Sequence, residues 1–198
     1  MSNQSTINTI ESPTMKRLLL IPMLLFGFFT FGQITVAPTA GYLYVKGKVK
    51  FEGNEIEKDR DGLYVGAAVQ FQLSEKVAFQ PEALYAAYKD YAVLMLPLVF
   101  KYKIIQGLNI QAGPQIDYSV KEYPIDDVLG FADDFGFDIS EDDFTRLGIS
   151  AALGLGYDIN ERIFIESRYT FQLNDVYTGD LDISIKGNIL NVGVGYRF

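Results

Sequence analysis

Residues 190–198 read Leu190-Asn191-Val192-Gly193-Val194-Gly195-Tyr196-Arg197-Phe198. Large apolar side chains fall at 190, 192, 194, 196 and 198, and polar or small ones fall between them. In a strand, side chains two apart share a face, so strict alternation predicts a strand with one apolar and one polar side.

The same pattern recurs upstream. Ile163, Ile165, Tyr169, Phe171 and Leu173 oppose Glu166, Arg168, Thr170 and Gln172. Leu147, Ile149, Leu153, Leu155 and Tyr157 oppose Gly148, Ser150, Gly154, Gly156 and Asp158. Leu108, Ile110, Ala112, Ile116 and Tyr118 oppose Asn109, Gln111, Gly113, Gln115 and Asp117. Leu94 to Tyr102, Phe79 to Tyr85 and Leu63 to Leu73 alternate likewise, with Lys101, Glu82 and Gln70 on their second faces. A further strand near Thr35 to Val45 has no assignable faces. Eight strands follow, each of roughly the 9–11 residues that a tilted membrane strand needs.

The expected connections differ in length. Residues 73–77, 105–107 and 159–162 read as tight turns, and Lys89-Asp90 as a short or moderate link. The segments 46–61, 120–144 and 174–186 read as long loops. Outer-membrane barrels place short turns in the periplasm and long loops outside. With both termini in the periplasm, every tight turn falls on that side. The fold class expected is all-β: an eight-stranded antiparallel transmembrane β-barrel.

Three features decide which face meets lipid. The apolar set is large, and an eight-stranded interior has room only for a filled plug of side chains; the glycines sit on the polar face. Phe71, Phe79, Tyr102, Tyr157, Tyr196 and Phe198 lie at the turn-side ends of their strands, on the apolar face, as an aromatic girdle would. Tyr196 and Phe198 close the last strand, the form of a C-terminal insertion signal for the barrel-insertion machinery. A Lys or Arg facing lipid at mid-depth costs about 2–4 kcal/mol. The face of Arg168 is therefore expected to be the lumen, shared with Glu82, Lys101, Asp117, Asp158, Glu166 and Arg197. Glu82 with Lys101 and Glu166 with Arg197 are plausible diagonal pairs. These charges read as a structural plug rather than a polar or ion pathway.

The chain begins with an export segment. Met15-Lys16-Arg17 precedes an almost wholly apolar run from Leu18 to Phe31, and Thr30-Phe31-Gly32 ends it with small residues at alternate positions. That is the form of a signal peptide over 15–32, cleaved after Gly32. The alternatives are a membrane anchor or a buried helix, but the run is 14 residues long and a spanning helix needs about 20. Residues 1–14 form a polar extension, consistent with translation beginning at Met15. The barrel is expected over 33–198.

Composition excludes several function classes. The 198 residues hold no Cys, no His and no Trp. Thiolate chemistry, Cys zinc sites and His-dependent hydrolysis are therefore excluded. The net charge of −8 is unfavourable for a nucleic-acid partner. Gly154-Leu155-Gly156 has no downstream helix and is not a dinucleotide motif. No carboxylate pair can be argued for glycoside chemistry. No enzyme and no cofactor is expected.

The acidic charge is concentrated. Residues 120–144 hold nine acids against Lys121 alone, so this segment carries the whole net charge. Ile125, Val128, Leu129 and Ala132 share a helical face behind Pro124, suggesting a short amphipathic helix over the barrel mouth. Asp134, Asp138 and Asp142 are weak candidates for calcium, since hard oxygen ligands suit that ion, but their spacing does not match an EF-hand. A solvated acidic loop is the plainer reading. Phe131, Phe135, Phe137 and Phe144 among the acids suggest a protein-binding surface or packing on the rim.

Gln80-Pro81-Glu82-Ala83-Leu84-Tyr85, followed by Leu96-Pro97-Leu98-Val99-Phe100-Lys101-Tyr102, resembles the PorT-like outer membrane protein beta-barrel domain family. The Gly32-Gln33 exit and the closing Gly193-Val194-Gly195-Tyr196-Arg197-Phe198 fit as well. Lys89-Asp90 stands where that family usually has Lys-Gly. The resemblance implies a small barrel embedded in outer-membrane lipid. Some relatives are linked to secretion and gliding machinery, and no residue here carries that role over. The function expected is a non-enzymatic structural or binding component of the cell envelope that acts through its outer loops. The alternatives are an accessory subunit of a secretion or assembly complex, and a narrow pore.

Overall fold

The computed structural model describes residues 34–51, 54–88, 91–120, 143–179, 181 and 183–198. The signal segment, the polar extension and residues 121–142, with the candidate helix and Asp134, Asp138 and Asp142, lie outside them. Eight strands follow in order: β1 (Ile34–Phe51), β2 (Asn54–Gln72), β3 (Val77–Tyr88), β4 (Tyr91–Lys103), β5 (Leu108–Ser119), β6 (Leu147–Asp158), β7 (Ile163–Gln172) and β8 (Ile183–Tyr196). Each pairs antiparallel with its sequence neighbours, and β1 pairs with β8 to close the barrel. Closure leaves no strand edge unpaired, the condition for a sheet to sit in hydrocarbon. Ladder pairs are missing at 69–70 of β2, 82–83 of β3 and 98–99 of β4, beside Pro81, Pro97 and Pro114, but the register continues across all three gaps.

The three expected tight turns lie together at one end. In the first, the Leu73 and Ser74 N–H groups donate to the Val77 carbonyl at 2.9 and 3.0 Å. Gly107 supplies the second with a φ of 83°, a conformation that costs glycine little. In the third, the Asn160 side-chain oxygen accepts from the Arg162 and Ile163 N–H groups, both at 2.8 Å, as an Asx turn does.

Two long links of the sequence reading are shorter here. β1 and β2 run as a paired hairpin to Phe51 and Asn54, so 46–51 and 54–61 are strand rather than loop. β8 begins at Ile183, inside the expected 174–186 loop. The high charge of the first segment suggested solvated loop, yet those charges compensate one another across the pair. Lys46 meets Glu57 at 2.7 Å, Lys48 meets Glu55 at 2.6 Å and Glu57 at 3.0 Å, and Lys50 meets Glu55 at 3.3 Å. The hydrogen bond from Lys48 and that from Lys46 hold the Glu55 and Glu57 carboxyls, respectively, below the usual glutamate range.

Outer and inner faces separate as expected from volume. Leu63, Val65, Leu153, Leu155, Val192 and Val194 are exposed around the outside. β1, whose faces could not be assigned, turns Val36 and Tyr42 outward and Ala37 and Leu43 inward. The turn-side girdle is matched at the far end by exposed Tyr42, Tyr85 and Tyr118. Leu147 and Tyr157 bound the apolar band on β6. Ten residue steps of about 3.3 Å, tilted by about 40°, span roughly 25 Å, the height of a lipid-facing band.

The interior has two parts. On β5–β7 it is polar, with Gln111, Gln115, Ser150, Arg168 and Thr170 buried. On β1–β4 and β8 it is apolar toward the far end, where Leu43, Leu84, Ala86, Tyr88, Tyr91, Val93, Met95 and Ile189 form one cluster with Tyr64. Tyr64 lies across the closing seam, where Gly41 of β1 faces Gly193 of β8. A side chain at either glycine would run into the Tyr64 ring or hydroxyl.

Leu153→Arg places a cation on the lipid face, where Leu153 is 58% exposed. It is expected to lower stability by about 2–4 kcal/mol in urea unfolding from lipid vesicles, whereas Glu57→Gln in the hairpin leaves that transition in place. Because Glu55 and Glu57 titrate below their unfolded value, the hairpin's ion pairs contribute stability above that value. They lose it as pH falls through the lower, folded one. Amide-exchange protection of 45–50 and 55–60 is therefore expected to drop below the ordinary glutamate range while β5–β7 stay protected.

Candidate functional site

Arg168 projects from the middle of β7 into the lumen and is 2% exposed. β3 brings Glu82 to it from across the barrel. The guanidinium donates to both Glu82 oxygens, Nη2 to Oε1 at 2.7 Å and Nη1 to Oε2 at 3.1 Å. It also donates to Gln111 Oε1 on β5, from Nη2 at 2.9 Å, and to Glu166 Oε2, two residues away, at 3.2 Å. Lys101 of β4 ion-pairs with the other Glu166 oxygen, and Gln80 Nε2 donates to Glu82 Oε1 at 2.7 Å. Two cations and two carboxylates balance. Charge-assisted, bidentate bonds of this kind are the strong class.

Around this centre sit smaller groups. Asp117 accepts from Gln115 Nε2 at 2.7 Å and from the Ser150 hydroxyl at 3.1 Å. Arg197 pairs with Asp158 at 2.6 Å near the turn side, and its guanidinium lies 4.4 Å from the centre of the Phe164 ring. Lys101 Nζ approaches the same ring at 5.1 Å.

Of the seven charges expected in the lumen, Glu82, Lys101, Glu166 and Arg168 meet in one network, Asp117 lies with Gln115 and Ser150, and Arg197 lies with Asp158, so the expected pairings are replaced. Glu82 meets Arg168 rather than Lys101, and Glu166 meets Lys101 and Arg168 rather than Arg197. Strand adjacency favours neighbouring pairs, whereas β3 and β7 approach across a narrow interior. The apolar inner cluster was also missed. Its signal was available, since Tyr91 to Phe100 is apolar at both parities apart from Pro97, as a strand covered on both faces reads.

Cavities open at both ends of the filled lumen. The turn-side one, about 280 Å³, is lined by polar groups including Gln70, Lys101, Asn109 and Arg197. The far one, about 220 Å³, is mainly apolar and includes Tyr88, Tyr91, Val176 and Ile189. Between them stand the charge network and the apolar cluster. Among the described residues no three acids gather as a metal site.

Residues 90–178 match a family model described as "Outer membrane protein beta-barrel domain". The matched span includes Leu96 to Tyr102 and omits Gln80 to Tyr85. Among solved structures, Neisserial surface protein A is 10% identical, covering 85% of this chain and 99% of its own, with a TM-score of 0.48. Ail, the attachment invasion locus protein of Yersinia pestis, is 14% identical over 83% of this chain and 98% of its own, at 0.45. OprG from Pseudomonas aeruginosa is 13% identical over 85% and 97%, at 0.41. A search of curated proteins gave no match.

Arg168→Met leaves Glu82 buried without its cation. It is expected to destabilise the barrel by about 3–5 kcal/mol in urea unfolding. Arg168→Met combined with Glu82→Leu should recover part of that loss, giving a positive coupling in the double-mutant cycle.

Proposed function

We propose that this chain is an exported, non-enzymatic component of the outer membrane: a sealed barrel that displays loops at one surface. The observation that carries this reading is the lumen. A charge-balanced network and an apolar cluster occupy its middle, while the outer wall is an apolar band between two aromatic girdles. A wall of that kind is a scaffold, so binding falls to what it displays.

The finer parts of the proposal rest on the sequence. The segment 15–32 directs export and is removed after Gly32. The termini and tight turns lie in the periplasm. Tyr196 and Phe198 are presented to the insertion machinery; their rings stand 5.4 Å apart, and Phe198 is 85% exposed on the outer face. Residues 120–144 meet a protein partner through interleaved acids and phenylalanines, and a nucleic-acid partner is disfavoured by charge. Membership of the PorT-like group, with a role as accessory subunit of a secretion or assembly complex, is the second reading. It rests on the Gln80–Tyr85 and Leu96–Tyr102 motifs.

The absence of native cysteine makes orientation directly testable. In intact cells, a membrane-impermeant maleimide is expected to label Phe135→Cys and to label Ser74→Cys only after the outer membrane is opened. The opposite pattern would reverse the assignment. Crosslinking from position 135, followed by identification of the captured protein, then separates a lone barrel from a complex subunit.

A further inference from the structure

The far cavity differs in chemistry from the rest of the lumen. Its walls are largely apolar: Tyr88, Tyr91, Val176 and Ile189 line it and are each buried. The Tyr88 and Tyr91 rings stack at 5.7 Å with planes 26° apart. The rim is tied down by hydrogen bonds from the Thr178 N–H and hydroxyl to the Asp143 carbonyl, at 2.7 and 3.0 Å. A single water needs about 10–15 Å³, so about 220 Å³ is room for a small molecule. Barrel mouths are a recurrent place for such sites.

Among the described residues, Lys58 and Arg60 of β2 border the cavity from the inner face, with Asp117 as the one acid, while Lys48 and Lys186 border it from positions that alternate with the inward Leu43 and Ile189. Asp117 is already held by Gln115 and Ser150. Lys48 is engaged with Glu55 and Glu57, Lys186 meets Asp175 at 3.5 Å, and Lys58 has an interaction of its own. Arg60 is half-buried on the inner face of β2 and makes no side-chain hydrogen bond or ion pair with the described residues. A guanidinium with no partner among the described residues, above an apolar chamber, is complementary to an anion with a hydrocarbon or aromatic body.

We infer that this cavity binds a small amphiphilic carboxylate, its apolar body against Tyr88, Tyr91 and Ile189 and its anionic group at Arg60. The inference does not depend on which side of the membrane this mouth faces, so it stands or falls separately from the orientation experiment above.

The test uses the full-length barrel in phosphatidylcholine nanodiscs and a diazirine-bearing decanoate, with labelled peptides located by mass spectrometry. Labelling is expected at 88–93 and 176–189. Decanoate should compete with it at least tenfold better than decanol, whose body is the same without the charge. Zwitterionic lysophosphatidylcholine, which brings its chain on a headgroup, should compete no better than decanol. If lysophosphatidylcholine competes like decanoate, the occupant is a lipid chain and the carboxylate assignment fails. Arg60→Glu, with Arg60→Gln as the milder variant should folding suffer, is expected to reduce labelling at least tenfold, and Lys46→Gln on the outer face to leave it unchanged. Labelling confined to the lipid face around Leu153, or indifference to Arg60, overturns the proposal. So does labelling that appears only when residues 121–142 are deleted, because the cavity would then belong to the chain's own segment.

Discussion

The interaction on which the rest of this structure depends is the Arg168 guanidinium buried between carboxylates inside the barrel. An ion taken out of water costs several kcal/mol unless partners surround it. Here Glu82, Glu166 and Gln111 supply them from β3, β7 and β5. Glu82 reaches across the lumen, so the network ties opposite walls rather than adjacent strands. That tie also settles the faces: if Arg168, Glu82 and Lys101 point inward, the residues alternating with them point to lipid.

The interior is consequently not one material. The network, drawn from β3, β4, β5 and β7, and the apolar cluster on β1–β4 and β8 meet in mid-barrel and separate two cavities of opposite character. The turn-side cavity is polar and continuous with the charged groups. The far one is apolar, with Arg60 on its inner border. A filled lumen of this kind supports the wall and leaves recognition to the far mouth, where the paired β1–β2 hairpin and the ends of the acidic segment stand.

Much of the fold was legible in the sequence because a strand in a one-layer wall repeats one constraint every two residues. Leu153, Leu155 and Tyr157 alternate with Gly154, Gly156 and Asp158 for that reason, and the tight turns carry their own local chemistry at Gly107 and Asn160. What was not legible depends on distances across the barrel. Glu82 and Arg168 are 86 residues apart, and only strand number, tilt and register bring them together. Charge density misled at 46–61, since alternating Lys and Glu on two paired strands look like loop until their cross-strand partners are seen. The far mouth was missed because β3 and β4 lose alternation there. Tyr88, Tyr91 and Val93 are apolar residues on the face read as polar, and the alternation rule says nothing about an interior that changes character along its length.

The central claim is that the lumen is closed by the Arg168 network and the apolar layer beyond it. Single-barrel conductance in planar bilayers tests this most directly. The wild-type chain is expected to give no steady unitary conductance at neutral pH, because the charge network and the apolar cluster stand between the two cavities. A stable, ion-selective conductance from the properly folded wild-type barrel would contradict it.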